Sequence, residues 1–306
     1  MSERRKGERG FLGSGETPFS KGVLTRALTA VGVREDQAYE LARRTESDLA
    51  QRGDVSVDLD RLRELAADLL GEDQGARAVR QLRRYRDLQE LDLPVILLVG
   101  GGTGTGKSTV ATEVAYRLGI TRVTSTDFVR QTMRAFFAKE FMPSIHYSSF
   151  EAGLGLTKAE EEESGDAALL GFLDQTRNVL TGVEAALQRA LDEGWSMVLE
   201  GVHLVPGMIT TELRGALVVQ CVLAIRDEEI HRTHFWIRDD ASDGVRPFDR
   251  YLEGLPEIRM IQDYLLERAA RNDVTVIENE RHGETVAAVM DLVLEQAERA
   301  AEGVRP

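Results

Sequence analysis

The chain has 306 residues, a formal net charge of −14 and a single cysteine. That length allows one large or two smaller cores, and one cysteine excludes an internal disulfide or a cysteine-based metal site. The charge is uneven, with 17 basic and 18 acidic side chains in residues 1–93 against 21 and 34 in 94–306, and the acidic second part argues against a nucleic acid partner.

The start, Met1 to Gly7, lacks the apolar core of a secretory signal, and no stretch approaches the roughly 20 apolar residues of a membrane span. No membrane partner and a cytoplasmic location are therefore expected. Residues 1–17 are polar, rich in glycine and charge, and read as an arm or an edge hairpin. Helical spacing of apolar residues then runs through Phe19 to Val31, Arg34 to Arg52 and Leu59 to Leu70, followed by an arginine-rich helix over Gln74 to Leu91. These helices form a compact unit over 1–90, with a second domain over 91–306.

The second domain opens on a buried-strand run, Val95 to Val99, which passes into GGTGTGKST and then a helix over Thr109 to Leu118. The pattern G-x-x-x-x-G-K-S falls on Gly101, Gly106, Lys107 and Ser108, with a strand before it and a helix after it. Glycines let backbone N–H groups converge on phosphate oxygens, and the helix points its positive end at them. Gly101, Gly102, Thr103, Gly104, Thr105, Gly106, Lys107, Ser108 and Thr109 are therefore expected to hold ATP, with Lys107 across the β- and γ-phosphates and Ser108 on Mg2+.

Further apolar runs at Arg122 to Thr126, Ser196 to Leu199, Val218 to Ile225 and Val274 to Ile277 are separated by helical patterns, including a long stripe over Ala167 to Glu193. Alternating strands and helices predict an α/β fold of the P-loop NTPase type, a parallel sheet with helices on both faces. Cys221 falls in the fourth run and reads as core. Thr157 with Glu160 forms a candidate helix cap, and Glu160 to Glu163 a solvated face or loop.

In an open α/β sheet the strand carboxyl ends face the ligand crevice. Asp127 follows the second run, where a carboxylate can accept a proton from an attacking hydroxyl or help hold magnesium; a helix cap is the alternative. Glu200 ends the third run and is the acidic candidate for magnesium, and His203 either contacts substrate or serves as a structural hydrogen-bonding residue. His146, His203, His231 and His234 all fall in segments that should border the crevice, but none shows the paired spacing with an acid that zinc favours, so no transition metal is expected. Arg232 and Arg238 stand where lid arginines can neutralise charge in a phosphoryl transfer, or else pair with nearby acids. Arg130, Arg134, Lys139, Arg246, Arg250 and Arg259 complete a basic set suited to a small anionic substrate, because local arginines outweigh charge farther off than a Debye length of ~8 Å.

These segments together resemble the 2-phosphoglycerate kinases, which combine a P-loop kinase domain with an N-terminal ATP-cone-like domain. The resemblance rests on the loop, on Ser125 to Arg130, Pro143 to Phe150, Glu200 to Gly207 and His231 to Arg238, and more weakly on Pro18 to Leu28. It implies transfer of the ATP γ-phosphoryl to the 3-hydroxyl of 2-phosphoglycerate, with Lys107, Asp127, Arg232 and Arg238 catalytic. Asp127, Arg130, Arg134, His146 and His203 would lie on the substrate, and Ser108, Asp127 and Glu200 on Mg2+. The residues alone leave open another phosphorylated or hydroxy acid, a sugar nucleotide, or a nucleotide-sensing switch that transfers nothing.

Overall fold

The computed structural model describes residues 12, 18–91, 93–157, 166–211, 213–240 and 248–304. The arm expected over 1–17, apart from Leu12, together with Glu160 to Glu163 and Arg246, lies outside them. Two compact units emerge, one of residues 1–92 with 290–306 and one of 93–289.

The first unit contains α1 (Lys21–Ala30), α2 (Glu35–Arg52), α3 (Leu59–Leu70) and α4 (Glu72–Glu90). Leu24, Leu28, Leu41, Leu62 and Leu82 recur at helical spacing and are fully buried. Asp58 starts α3 by accepting from the Arg61 amide at 2.7 Å, and a left-handed Gly53 ends α2. The end of the last helix returns to this unit: Gln81 hydrogen-bonds Asp291, and Arg84 Nε reaches Glu298 at 2.9 Å. Composition places residues 290–306 with the second domain. They group with the first because that helix keeps Val293, Leu294 and Ala297 buried and offers acids to the α4 arginines.

The second unit holds β1 (Val95–Gly101), α5 (Lys107–Leu118), β2 (Val123–Ser125) and α6 (Thr126–Phe136). Two 3-10 turns follow, Ser144–His146 and Ser149–Gly155, and then α7 (Ala167–Asp192), β3 (Met197–Glu200) and β4 (Leu217–Ala224). The chain continues through α8 (Glu228–Asp240), α9 (Phe248–Glu253), α10 (Leu255–Arg271), β5 (Thr275–Glu278) and α11 (His282–Val304). The strands form a parallel sheet in the order β2-β3-β1-β4-β5. This is the predicted α/β class, and each strand lies within two residues of its apolar run.

β1 and β3 are buried along their whole length, while the edge strands β2 and β5 are partly exposed, as expected for a sheet covered on both faces. Val179, Leu180, Val183 and Leu187 of α7 pack against Ile96, Leu98, Met197 and Leu199. A second core gathers Phe172, Val222, Phe235, Tyr251, Ile258 and Ile261 beneath α8, α9 and α10. Each such fully buried side chain contributes on the order of 2 kcal/mol. Cys221 lies fully buried in β4, where desolvation pushes its thiol up to about 12. Among the described residues no helix is long and apolar enough to cross a membrane.

Candidate active site

The chain leaves β1, at the middle of the sheet, straight into the glycine loop and α5. Strand order on either side of β1 diverges, so a crevice opens at the carboxyl ends. Gly104 and Gly106 take φ of +84° and +78°, which side chains with a Cβ rarely adopt, and a Cβ on Gly104 would strike the Phe235 ring. The loop is held from several sides. Thr105 Oγ1 donates to the Gly102 carbonyl at 2.9 Å and Asn279 Nδ2 to the Thr105 carbonyl at 2.9 Å. From α8, His231 Nε2 donates to the Thr103 carbonyl at 2.8 Å and His234 Nδ1 to the Gly104 carbonyl at 3.1 Å. Burial holds His231 down to about 4, so it is neutral at pH 7 and uses its single N–H on the loop. Lys107 Nζ lies 2.5 Å from the Gly102 carbonyl, curled within the loop it is expected to serve.

A cavity of about 470 Å3 sits over this loop. Thr103, Gly104, Gly106, Lys107, Ser108 and Thr109 line one side, and Asp127, Arg130, Ser148 and Ser149 another. Ser108 Oγ donates to Glu200 Oε1 at 2.9 Å, which brings the two expected magnesium residues together. Ser125, not Asp127, caps α6: its Oγ accepts from the Phe128 amide at 3.0 Å. The Asp127 carboxylate is thereby left for the cavity. Desolvation by the surrounding protein works to raise its pKa, but the neighbouring His203, Arg130 and Lys107 outweigh that and hold it below the ordinary carboxylate value.

Arg130 is buried, and its guanidinium spans two tasks. Nη1 donates to the Ile145 and Tyr147 carbonyls at 3.0 and 2.7 Å, while Nε lies 3.4 Å from Asp127 Oδ1. Other expected substrate residues stand elsewhere. Arg134 is exposed and donates to Gln131 Oε1 at 3.0 Å, because it lies on the solvent side of α6. His146 Nε2 donates to the Phe137 carbonyl at 2.9 Å and is absent from the cavity wall. His203 is fully buried, between Thr126 Oγ1 at 2.8 Å and Gln175 Oε1 at 2.9 Å, so the structural alternative describes its position. Arg232 pairs with Glu228 at 2.7 Å on the surface of α8, and the Arg238 side chain lies outside the described residues.

Several wall residues were not anticipated. Ser148 and Ser149 enter with the second 3-10 turn, Tyr251 from α9, and Asn279, Glu280 and His282 from the segment after β5. Thr103 Oγ1 and Ser149 Oγ lie 3.4 Å apart across the crevice. Arg250, one of the basic set, donates through Nη2 to Ser148 Oγ at 3.0 Å and through Nε to Glu151 at 2.9 Å.

The chain is similar over most of its length to several 2-phosphoglycerate kinases. The 2-phosphoglycerate kinase of Methanopyrus kandleri is 38% identical over 279 residues, covering 91% of this chain and 84% of that protein. That of Pyrococcus horikoshii is 36% identical, covering 91% and 90%, and that of Methanococcus vannielii 38% identical, covering 92% and 90%. No family model matches the chain. Among solved structures, a gluconokinase from Sinorhizobium meliloti aligns with a TM-score of 0.33 at 13% identity, over 69% of this chain and 96% of that one. The relatives make this protein an ATP-dependent phosphotransferase, which removes the reading of the loop as a switch that transfers nothing. With a P-loop cradle facing an ionised aspartate, and kinship at this level over nine-tenths of its length, the chain belongs to the 2-phosphoglycerate kinase family.

Proposed function

We propose that the protein transfers the γ-phosphoryl of ATP to the 3-hydroxyl of 2-phosphoglycerate, giving 2,3-bisphosphoglycerate and ADP. One observation carries the reading: a single cavity is lined both by the phosphate loop and by Asp127 beside the buried Arg130. A hydroxyl oxygen attacks the γ-phosphorus, the bond to the β–γ bridging oxygen breaks, and the hydroxyl proton passes to the Asp127 carboxylate, which is ionised at neutral pH. Lys107 leaves the Gly102 carbonyl for the phosphates and neutralises charge that grows as the bond breaks. Arg130 and the Ser148 and Ser149 hydroxyls offer an anionic acceptor its hydrogen-bond donors.

Ser108, Glu200 and Asp127 supply the hard oxygen donors that Mg2+ takes, and Ser108 and Glu200 already lie within hydrogen-bond distance of each other. When bound there, the ion would offset the charge of the donor's phosphates. The likeness of Pro18 to Leu28 to an ATP-cone start supports a regulatory nucleotide role for the first unit.

The test is incubation with ATP, Mg2+ and, in parallel, 2-phosphoglycerate, 3-phosphoglycerate, glycerate and a sugar nucleotide, with product followed by mass. Selective phosphorylation of 2-phosphoglycerate supports the reading. Preference for another acceptor, or ADP release without phosphorylated product, overturns it.

A further inference from the structure

Behind the cavity wall runs a line of fully buried polar side chains, Thr126, His203 and Gln175, none of which touches the cavity. Its polarity follows from its ends. Gln175 Nε2 donates to the Ser144 carbonyl at 2.6 Å and to the Tyr147 carbonyl at 3.1 Å, so its Oε1 must face His203 and accept. The His203 proton therefore resides on Nε2, and the bare Nδ1 accepts from the Thr126 hydroxyl at 2.8 Å. Gly201 makes the approach possible, since a Cβ there would collide with Thr126 Oγ1. Every donor and acceptor along this line is committed in one direction.

The two ends of the line matter to the reaction. Thr126 immediately precedes Asp127, and the Ser144–Tyr147 segment immediately precedes Ser148 and Ser149, which line the same cavity. Arg130 holds the same segment by the Ile145 and Tyr147 carbonyls, yet it also faces the cavity and Asp127, so an anionic ligand competes for its charge. The buried line has no such second duty.

We propose that Gln175 and His203 are positioning residues, which tie the Asp127 turn to the Ser148–Ser149 wall and so set the acceptor hydroxyl against the general base. This rests on the reading of Asp127 and that wall as the acceptor side. Donor binding depends instead on the glycine loop, which Asn279, His231 and His234 hold independently. The two halves of the site are thus supported by different side chains, and loss of the buried line should be felt on one half only.

The experiment compares Gln175→Met with the wild type in steady-state kinetics on the acceptor that the wild type prefers, alongside direct ATP binding by calorimetry. Gln175→Met should lower kcat/KM for the acceptor about 10²-fold, the effect of a misplacement near 1 Å, with ATP affinity within about twofold of wild type. His203→Gln, whose amide can accept from Thr126 and donate to Gln175, should retain most of the activity, whereas His203→Leu should not. If Gln175→Met does not fold, Thr126→Val, which deletes one hydroxyl at equal volume, carries the same expectation. Acceptor kcat/KM within threefold of wild type, or an equal loss in ATP affinity, would overturn the proposal. Wild-type preference for an acceptor other than 2-phosphoglycerate would overturn the substrate assignment instead, and leaves this comparison in force.

Discussion

Asp127 shows how one side chain's task is set by its neighbours. Ser125 relieves it of capping α6, and His203, Arg130 and Lys107 hold its carboxyl below the ordinary value. Asp127→Asn keeps the size and loses the base, so kcat should fall roughly 10²–10⁴-fold while ATP affinity stays within about twofold, read by single-turnover kinetics and calorimetry. Full kcat in the variant would remove Asp127 from the chemistry. His203 and His231 give a second residue-scale consequence, through stability. Each is held near 4 by burial against an ordinary value of 6.5, so the folded protein refuses protons that the unfolded chain takes up. The contribution is fully present above pH 6.5 and is lost as pH falls toward 4, by about 2 kcal/mol for each histidine at pH 5. The urea midpoint should drop clearly between pH 7.5 and 5, and a flat midpoint would contradict the assigned burial. What the sequence could not show about these residues is distance across the chain: Asn279 meets Thr105 over 174 positions and His203 meets Gln175 over 28. His203 was legible as a polar residue near the crevice, but its full burial depends on α7 packing over it.

At the scale of elements, the glycine loop was legible because its constraints are local: a strand, three left-handed turns of backbone and a helix start within a dozen residues. The clasp on it was not, since it comes from α8. His231 and His234 donate to successive carbonyls of the loop and Phe235 lies under Gly104, so loop and helix are shaped to one another. Gly104→Ala adds one methyl group where the Phe235 ring already stands, at a φ that penalises any Cβ. ATP affinity should fall at least about 10-fold with little change in the melting of the first unit, and near-normal affinity would mean that α8 yields easily. The strands were read closely for a related reason. β1, β3 and most of β4 are buried on both faces and so appear as continuous apolar runs, which need no partner to be recognised. The 3-10 turns that carry Ser148 and Ser149 have no periodicity to announce them, and side chains distant in sequence, Arg130, Gln175 and Arg250 among them, fix their course.

For the whole molecule, the grouping of residues 290–306 with the first unit decides where the chain can be cut. A boundary at residue 90 follows from composition, since the helical pattern ends there and the first strand begins. It separates residues 290–306 from the unit with which they group: Val293, Leu294 and Ala297 are each at most 1% exposed, and Asp291 and Glu298 pair with α4. A fragment of residues 91–306 therefore carries an apolar face and acids stripped of their partners, whereas 93–289 follows the compact unit. All the cavity residues fall within 93–289, from Thr103 to His282. Fragment 93–289 should keep phosphotransfer to the acceptor and lose any response to nucleotide that the first unit confers. Fragment 91–306 should bind a hydrophobic dye and melt lower, by an amount set by apolar burial of about 25 cal/mol per Å2 newly exposed. Both are read by dye-binding melts and the coupled assay. If 91–306 is the better behaved of the two, the last helix belongs to the catalytic unit after all, and the composition boundary was the right one.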